Sequence, residues 1–164
     1  MNIQHIETLM YNPFFLSKIV QAFLTGYNKE VDLKKIFYVL PIVMYKESRD
    51  RLNTARSNST LYSIFSKEVQ FNDYNLKLNS KFSLSQVADL FEEYIDATKK
   101  SIIILGSQRK IKFKTKIILL DKLDFKRIPV SVREYFKSAH YLGVILRNVE
   151  ITELENFLEL KIEA

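Results

Sequence analysis

Side chains that could carry chemistry are few and far apart in this sequence. His5 and His140 are the only histidines, and they fall in different predicted elements without a partner at metal-ligand spacing. Glu92, Glu93 and Asp96 share one predicted helix, where acidic residues more often form a solvated face than a general acid/base pair. We therefore predict no catalytic residue and no metal site.

Two further kinds of chemistry are excluded by residue type and by motif. The chain has no cysteine, so it has no disulfide framework, no thiolate metal ligand and no cysteine nucleophile, which is typical of a reducing compartment. Neither G-x-x-x-x-G-K-[ST] nor G-x-G-x-x-G occurs, so both familiar nucleotide-binding loops are missing. We predict a protein that needs no cofactor, is not an enzyme and works by binding other macromolecules.

Size and composition fit one folded unit. A chain of 164 residues with 47% hydrophobic and 27% charged residues is in the range of a single globular domain, and we predict one domain over 1–164. The N-terminus lacks a basic stretch followed by an apolar one, so we expect no secretory signal. The longest apolar run, 36–45, contains Pro41 and covers about half of the ~20 residues that span a membrane. We expect a cytoplasmic protein without membrane contact.

Helices are predicted through most of the first half. Asn12 and Pro13 are residue types that open helices, and the helix they start should end near Gly26. Asp32 can cap a second helix, which Pro41 should kink or break into two short ones. The remaining segments are a loop at 53–60, a short helix at 61–67 and an irregular stretch at 71–82.

The second half is also predicted to be mainly helical. Ser83 or Ser85 should open a helix that continues to Leu105 and stops at Gly106. Two more helices are predicted at 131–146 and 152–160, the last with an apolar stripe beside its glutamates. We therefore predict a mostly α protein.

Residues 110–117 alternate strictly between polar and apolar types, which is the period of a β-strand. The pattern predicts four lysines on a solvated face, with Ile111, Phe113, Thr115 and Ile117 on a buried face. A turn near 114–116 would make a hairpin with Ile118 to Leu120, although a single longer strand is the alternative. A helix, a glycine turn and a short basic strand are typical of a winged-helix domain, so we predict an α+β fold with a basic β-wing around 109–120.

The positive charge is concentrated around this wing. Segment 107–127 holds eight basic and two acidic residues, a net charge of +6, whereas the rest of the chain has 17 of each. A focused basic stripe fits a phosphate backbone, but lysines on an edge strand also protect against aggregation, and an acidic protein partner is a third interpretation. The candidate nucleic-acid-binding residues are Arg109, Lys110, Lys112, Lys114 and Lys116.

Four pieces of the sequence occur in an informative order. They are Asn12-Pro13, the run Ile36–Arg49 (IFYVLPIVMYKESR), Phe82 with the following helix into Ile103–Gly106, and Ala139–Gly143 (AHYLG). Together they resemble the middle component of bacterial three-component ABC systems, the class that includes the small accessory subunit of Lamassu-type defence complexes. The second piece is similar to that family's "LPL…LHK-x-x-R" segment. The sequence departs from the family at Tyr45, where a histidine is frequent, and in its lysine-rich wing and charged C-terminus.

The resemblance implies a non-catalytic subunit that couples a coiled-coil, SMC-like ABC ATPase to an effector such as a nuclease in anti-phage or anti-plasmid immunity. The ATP site would belong to the partner, and the basic wing could contact the double-stranded DNA that the ATPase clamps. Candidate partner-interface residues are Lys46, Arg49 and Arg51, which directly follow the apolar run.

The alternative function is a free-standing winged-helix transcriptional regulator. Such a protein reads base edges through exposed Arg, Asn or Gln on the helix before its wing. Here the helix at 91–105 is acidic early and apolar late, and only Lys99 and Lys100 are basic. The sequence therefore favours the subunit over the regulator.

Overall fold

The computed structural model describes residues 8–66, 68–71, 76–79 and 84–160, and for 68–71 and 76–79 it describes the backbone alone. Across these ranges the chain is mostly helical, with two short antiparallel hairpins. The predicted fold class, mostly α with a small β-hairpin, is confirmed. Lys67, Phe82 and Ser83, each part of a predicted element or motif, lie outside the described residues.

Helix α1 spans Pro13–Tyr27, as predicted. The side-chain oxygen of Asn12 accepts hydrogen bonds from the backbone N–H groups of Phe14 and Phe15, at 2.9 and 3.3 Å. These bonds satisfy two of the donors that every helix leaves free in its first turn, and Pro13 has no such donor. The helix ends at Asn28, whose φ of 55° is the left-handed conformation that stops a helix.

Three short helices follow: α2 at Leu33–Ile36, α3 at Val39–Val43 and α4 at Lys46–Leu52. The chain breaks at Phe37 and Tyr38, and Pro41 lies inside α3, so the prediction that Pro41 itself makes the break was wrong. Pro41 is the third residue of α3, where a backbone N–H has no acceptor within the helix, and its missing donor therefore costs nothing. All five residues of α3 are buried.

A loop at 53–60 leads to α5 at Leu61–Phe65, which Thr60 and Ser63 cap reciprocally. Strands β1 (Glu68–Phe71) and β2 (Leu76–Asn79) then pair antiparallel, with Val69 opposite Leu78. The prediction of an irregular stretch was wrong for Phe71 and for Leu76–Asn79. The intervening Asn-Asp-Tyr-Asn gave the stretch its polar character, and the alternation on either side of it was the signal of a hairpin.

The predicted long helix before the wing is two helices, α6 at Val87–Glu93 and α7 at Ile95–Ser107, separated at Tyr94. Helix α6 packs against α3, whereas α7 packs against α1, and the break allows each half to bury its own face. Gly106 lies within α7 and does not stop it. The helix ends one residue later, at Ser107, and Arg109, two residues beyond that end, has a φ of 57°.

The predicted wing is a hairpin and not one long strand. Strand β3 (Ile111–Phe113) pairs antiparallel with β4 (Ile117–Leu119), and the turn lies at 114–116, as predicted. A 3₁₀ turn at Phe125–Arg127 leads to α8 at Arg133–Leu146, and α9 follows at Ile151–Leu158. Both final helices agree with the predicted ones to within two residues.

Helices α1 and α8 form the centre of the core and approach each other through two glycines. A Cβ atom added to Gly26 would lie 1.9 Å from the carbonyl oxygen of His140, and one added to Gly143 would lie 2.2 Å from that of Phe23. The buried apolar side chains of the described residues, from Leu16 to Leu154, form one cluster. None of the helices in the described ranges is long and apolar enough to cross a membrane.

Candidate functional site

Arg49 was predicted to lie at the rim of a partner interface, but its side chain lies inside the protein. It is 6% exposed, and its Nη1 donates to the carbonyl oxygens of Val43 and Met44, at 3.1 and 3.2 Å. Its guanidinium carbon lies 4.3 Å from the centre of the Tyr135 ring, and its Nε lies 3.9 Å from a Glu134 oxygen. Arg49 therefore links α3 and α4 to α8. Its buried side chain is not part of an exposed interface rim.

The other two interface candidates differ in their surroundings. Arg51 is half-buried, and its Nε and Nη2 both donate to the carbonyl oxygen of Ile64, at 3.3 and 3.2 Å, which joins α4 to α5. Burial lowers the pKa of the Arg51 guanidinium. Lys46 is exposed and bonds to Asp50 one turn later at 2.7 Å. Only Lys46 of the three presents its charged group fully to solvent, and its role in an interface stays a prediction.

The β3–β4 hairpin is held against the body of the protein at several points. Val31, between α1 and α2, exchanges two backbone hydrogen bonds with Ile117, at 3.0 and 2.9 Å. After the hairpin, the Gln21 side chain donates to the Asp121 carbonyl at 2.9 Å, and the Thr25 hydroxyl accepts from the Leu123 N–H at 2.9 Å. These bonds anchor the hairpin and the segment after it to α1.

Strand pairing decides which side chains share a face of this hairpin. Residues directly opposite each other in an antiparallel pair point to the same side. Lys112 lies opposite Ile118, and the backbone N–H of Leu120 donates to the carbonyl of Lys110 at 2.8 Å, which continues the register. We call the set Lys110, Lys112, Ile118 and Leu120 the outer face. Sequence reasoning missed its two apolar members, because the alternation of β3 does not continue into Ile117–Leu120 (IILL).

On the opposite face of the hairpin, some side chains pack against the core and others are exposed. Ile111 and Ile117 are buried, as predicted, but Phe113 is 59% exposed, so its predicted burial was wrong. Phe113 is the last residue of β3 and lies immediately before the exposed turn at 114–116. Thr115, predicted on the same buried face, lies in the turn and is exposed.

The structure brings the five candidate nucleic-acid-binding residues onto one hairpin and its entry. Arg109 and Lys110 precede β3, Lys112 lies within it, and Lys114 and Lys116 flank the turn. The Lys116 ammonium lies 4.0 Å from a carboxylate oxygen of Asp32, and both side chains are about half exposed. The other four form no ion pair with any described residue. Binding of nucleic acid by these residues stays a prediction.

A polar groove lies beside the hairpin at the end of α8. It has a volume of about 510 Å³, and its walls include Lys35, Lys116, Arg147, Asp32 and Glu150. Lys35 is buried there and donates to the Tyr27 hydroxyl at 2.8 Å and to the Leu146 carbonyl at 3.2 Å, so it caps α8. Burial lowers the pKa of Lys35. Because both charge signs line this groove, it indicates no single class of ligand.

His140 packs between aromatic rings. The centre of its ring lies 5.1 Å from that of Phe125 and 5.3 Å from that of Tyr141. Burial lowers the pKa of His140 below its ordinary value of 6.5. No group of three or more His, Asp or Glu side chains is placed to hold a metal ion within the described ranges.

Comparison with known families identifies the class of protein. The family described as "ABC-three component (ABC-3C) system Middle Component 3" matches residues 1–162. The chain belongs to this family, as its sequence motifs predicted. Comparisons with curated proteins and with solved structures gave no match.

Proposed function

We propose that this chain is a non-catalytic accessory subunit of a defence complex in which an SMC-like ABC ATPase acts together with an effector. The family match over residues 1–162 carries the proposal, because a middle component of a three-component ABC system has the other components as its partners. The finer points are part of the proposal: a Lamassu-type complex, an anti-phage or anti-plasmid role, and a nuclease as effector.

Three cationic side chains have structural contacts that account for them without a catalytic role. Arg49 and Arg51 donate to backbone carbonyls of neighbouring helices, and Lys35 caps α8. These cations hold helices together. The sequence has neither nucleotide-binding loop, so the ATP would be bound and hydrolysed by the partner.

A free-standing transcriptional regulator is less well supported. Helix α7 precedes the hairpin, as a recognition helix precedes a wing, but its exposed side chains include Ile103 and Asp96 beside Lys99 and Lys100. An aspartate before these lysines and an exposed isoleucine after them do not suit a helix that reads base edges beside phosphates. The family match also favours the subunit.

A component-omission experiment tests the subunit role. The ATPase, the effector and this chain are co-expressed with the tag on the ATPase, and the same purification is repeated without this chain. A bridging subunit predicts that the effector is retained with the ATPase only when this chain is present. ATP hydrolysis should be found in the ATPase alone and not in the isolated chain.

One control makes the outcome interpretable. Omitting the effector should leave this chain bound to the ATPase, which separates a bridge from a subunit that joins only through the effector. Equal retention of the effector with and without this chain would overturn the bridging role, and failure of this chain to bind either component would overturn the subunit proposal itself.

A further inference from the structure

The outer face of the β3–β4 hairpin pairs each lysine with an aliphatic side chain. Lys112 lies opposite Ile118, and Lys110 opposite Leu120, so two ammonium groups and two aliphatic groups occupy one side of a two-stranded sheet. Directly opposite residues in an antiparallel pair lie about 4.5–5.5 Å apart at Cβ. The face is therefore a mixed surface and not the all-lysine surface that the sequence predicted.

The apolar members of this face are accessible to a partner. Leu120 is 57% exposed, and Ile118 is half-buried. Phe113, at the end of β3 nearest the turn, is 59% exposed. Isolated exposed apolar residues are ordinary on protein surfaces, but here Leu120 and Ile118 lie two residues apart on one face beside lysines, and Phe113 exposes its ring on the opposite face of the same hairpin.

Among the described residues, most cations of the hairpin have no carboxylate partner. Lys110, Lys112 and Lys114 form no ion pair with another described residue, and Lys116 has only the 4.0 Å contact with Asp32. Segment 107–127 carries the whole net charge of +6 of the chain. Its electrostatic complement is therefore an acidic surface.

The pairing of charges with aliphatic groups distinguishes a protein from DNA as the occupant. A phosphate backbone is matched by cations alone and gains nothing from an exposed leucine or isoleucine beside them. Protein interfaces, in contrast, have an apolar centre with a polar rim. The outer face combines both kinds of side chain, with Ile118 and Leu120 on one strand beside Lys110 and Lys112 on the other.

We propose that the outer face of the hairpin docks an acidic, amphipathic segment of another component of the system, with carboxylates against Lys110 and Lys112 and aliphatic side chains against Ile118 and Leu120. This inference rests on the proposed subunit role. It names the surface that carries part of the assembly and the chemistry of the segment that binds there.

Two substitutions separate the apolar and the charged contributions. Leu120→Gln removes an aliphatic side chain without a change in charge, and Lys112→Glu reverses one charge. In the co-expressed complex, with the tag on the ATPase, both should weaken retention of this chain if the ATPase supplies the docked segment, or retention of the effector if the effector supplies it. The loss should be roughly tenfold in affinity for each substitution at a central interface residue. Matched controls are Val130→Gln, at a side chain that is 78% exposed outside the hairpin, and Lys18→Glu on α1, and both should bind as the wild type does.

A photo-crosslinking amino acid in place of Leu120 identifies the occupant. In the complete complex it should form cross-links to a segment of another component that is rich in Asp and Glu and contains aliphatic residues. Thermal unfolding of each variant confirms that it is folded, and the cross-linking result does not depend on the substitutions that weaken binding.

Several results would overturn this proposal. Unchanged retention of Leu120→Gln, together with weaker binding of a fluorescent DNA duplex to the Lys112→Glu complex, would assign the face to phosphates. Cross-links from position 120 to DNA would lead to the same assignment, and the absence of cross-links to any other component would also overturn the docking surface. If the wild-type chain is not retained at all, the subunit role fails and this inference with it. If it is retained, and Leu120→Gln changes the retention of neither this chain nor the effector, only the docking surface is wrong.

Discussion

Gly143 lies where α8 comes closest to α1. A Cβ atom there would lie 2.2 Å from the carbonyl oxygen of Phe23 and 2.6 Å from the backbone nitrogen of Tyr27. Backbone atoms cannot relieve such a clash by a change of rotamer, as a side chain can. We therefore expect Gly143→Ala to force the two helices apart and to lower the free energy of unfolding by about 2–3 kcal/mol or more. Urea unfolding followed by circular dichroism measures this change.

Gly106 provides the matched control for that substitution. It is exposed within α7, and a Cβ atom there would have no atom within 4 Å. Gly106→Ala should therefore stabilise the protein by about 0.5 kcal/mol, because alanine loses less backbone entropy in a helix than glycine does. Equal effects of the two substitutions would contradict the close packing of α1 on α8.

His140 makes the stability of the protein depend on pH. Its pKa is lowered below 6.5 mainly by burial, with the nearby Lys126 adding to this effect and Asp124 opposing it. As the pH falls through 6.5, the unfolded chain takes up a proton on this residue before the folded chain does, so the free energy of unfolding decreases. Above 6.5 both states are neutral at His140 and this destabilisation disappears.

The variant His140→Gln isolates that contribution. Between pH 7.5 and pH 5, the wild type should lose more stability than the variant, measured as the change in melting temperature with pH. Parallel pH profiles of the two proteins would show that burial of His140 does not shift its pKa.

Arg49 acts at the scale of elements, because one guanidinium joins three helices. From its position on α4, Arg49 donates to the carbonyl of Val43, the last residue of α3, and to that of Met44, which follows it. The guanidinium also stacks on Tyr135 of α8. Lysine cannot donate two bonds in a fixed plane while stacking on a ring, so Arg49→Lys should destabilise the protein by about 2 kcal/mol or more. Denaturant unfolding of the purified variant measures the loss.

Lys46, three residues earlier on the same helix, is the control for Arg49. Its ion pair with Asp50 is exposed, and exposed pairs of this kind contribute roughly 0–1 kcal/mol. Lys46→Ala should therefore change the stability little. A small effect of Arg49→Lys, no larger than that of Lys46→Ala, would mean that Arg49 is free to serve in an interface after all.

The elements that the sequence predicted well are those with local signals. Asn12-Pro13 specifies the start of α1 through capping and proline chemistry, and the alternation at 110–117 specifies a strand. The break at Tyr94 has no such local signal. It arises because α6 and α7 pack against different helices, which depends on the tertiary structure.

The candidate surfaces show the same division. The positions of Lys112 and of the turn at 114–116 followed from the sequence period. The place of Ile118 and Leu120 beside the lysines required the register of the strand pair, and the inward position of Arg49 required a neighbouring α8. A charge pattern in one segment does not specify which side chains a second segment brings beside it.

At the scale of the whole molecule, the chain combines a core in which α1 and α8 pack closely at two glycines with a basic hairpin that packs on this core. The hairpin is fixed to α1 and to the α1–α2 connection by backbone and side-chain hydrogen bonds, so a partner would bind a pre-formed surface. A pre-formed surface loses little conformational entropy on binding. This architecture suits a component that works by holding other proteins in place.

Affinity purification of the tagged protein from its native host, followed by mass spectrometry, tests the central claim most directly. An accessory subunit predicts recovery of a large coiled-coil ABC ATPase together with an effector, in constant proportion to this chain. Recovery of the chain alone, as a monomer or dimer that shifts a specific DNA fragment, would contradict the subunit role and favour a free-standing regulator.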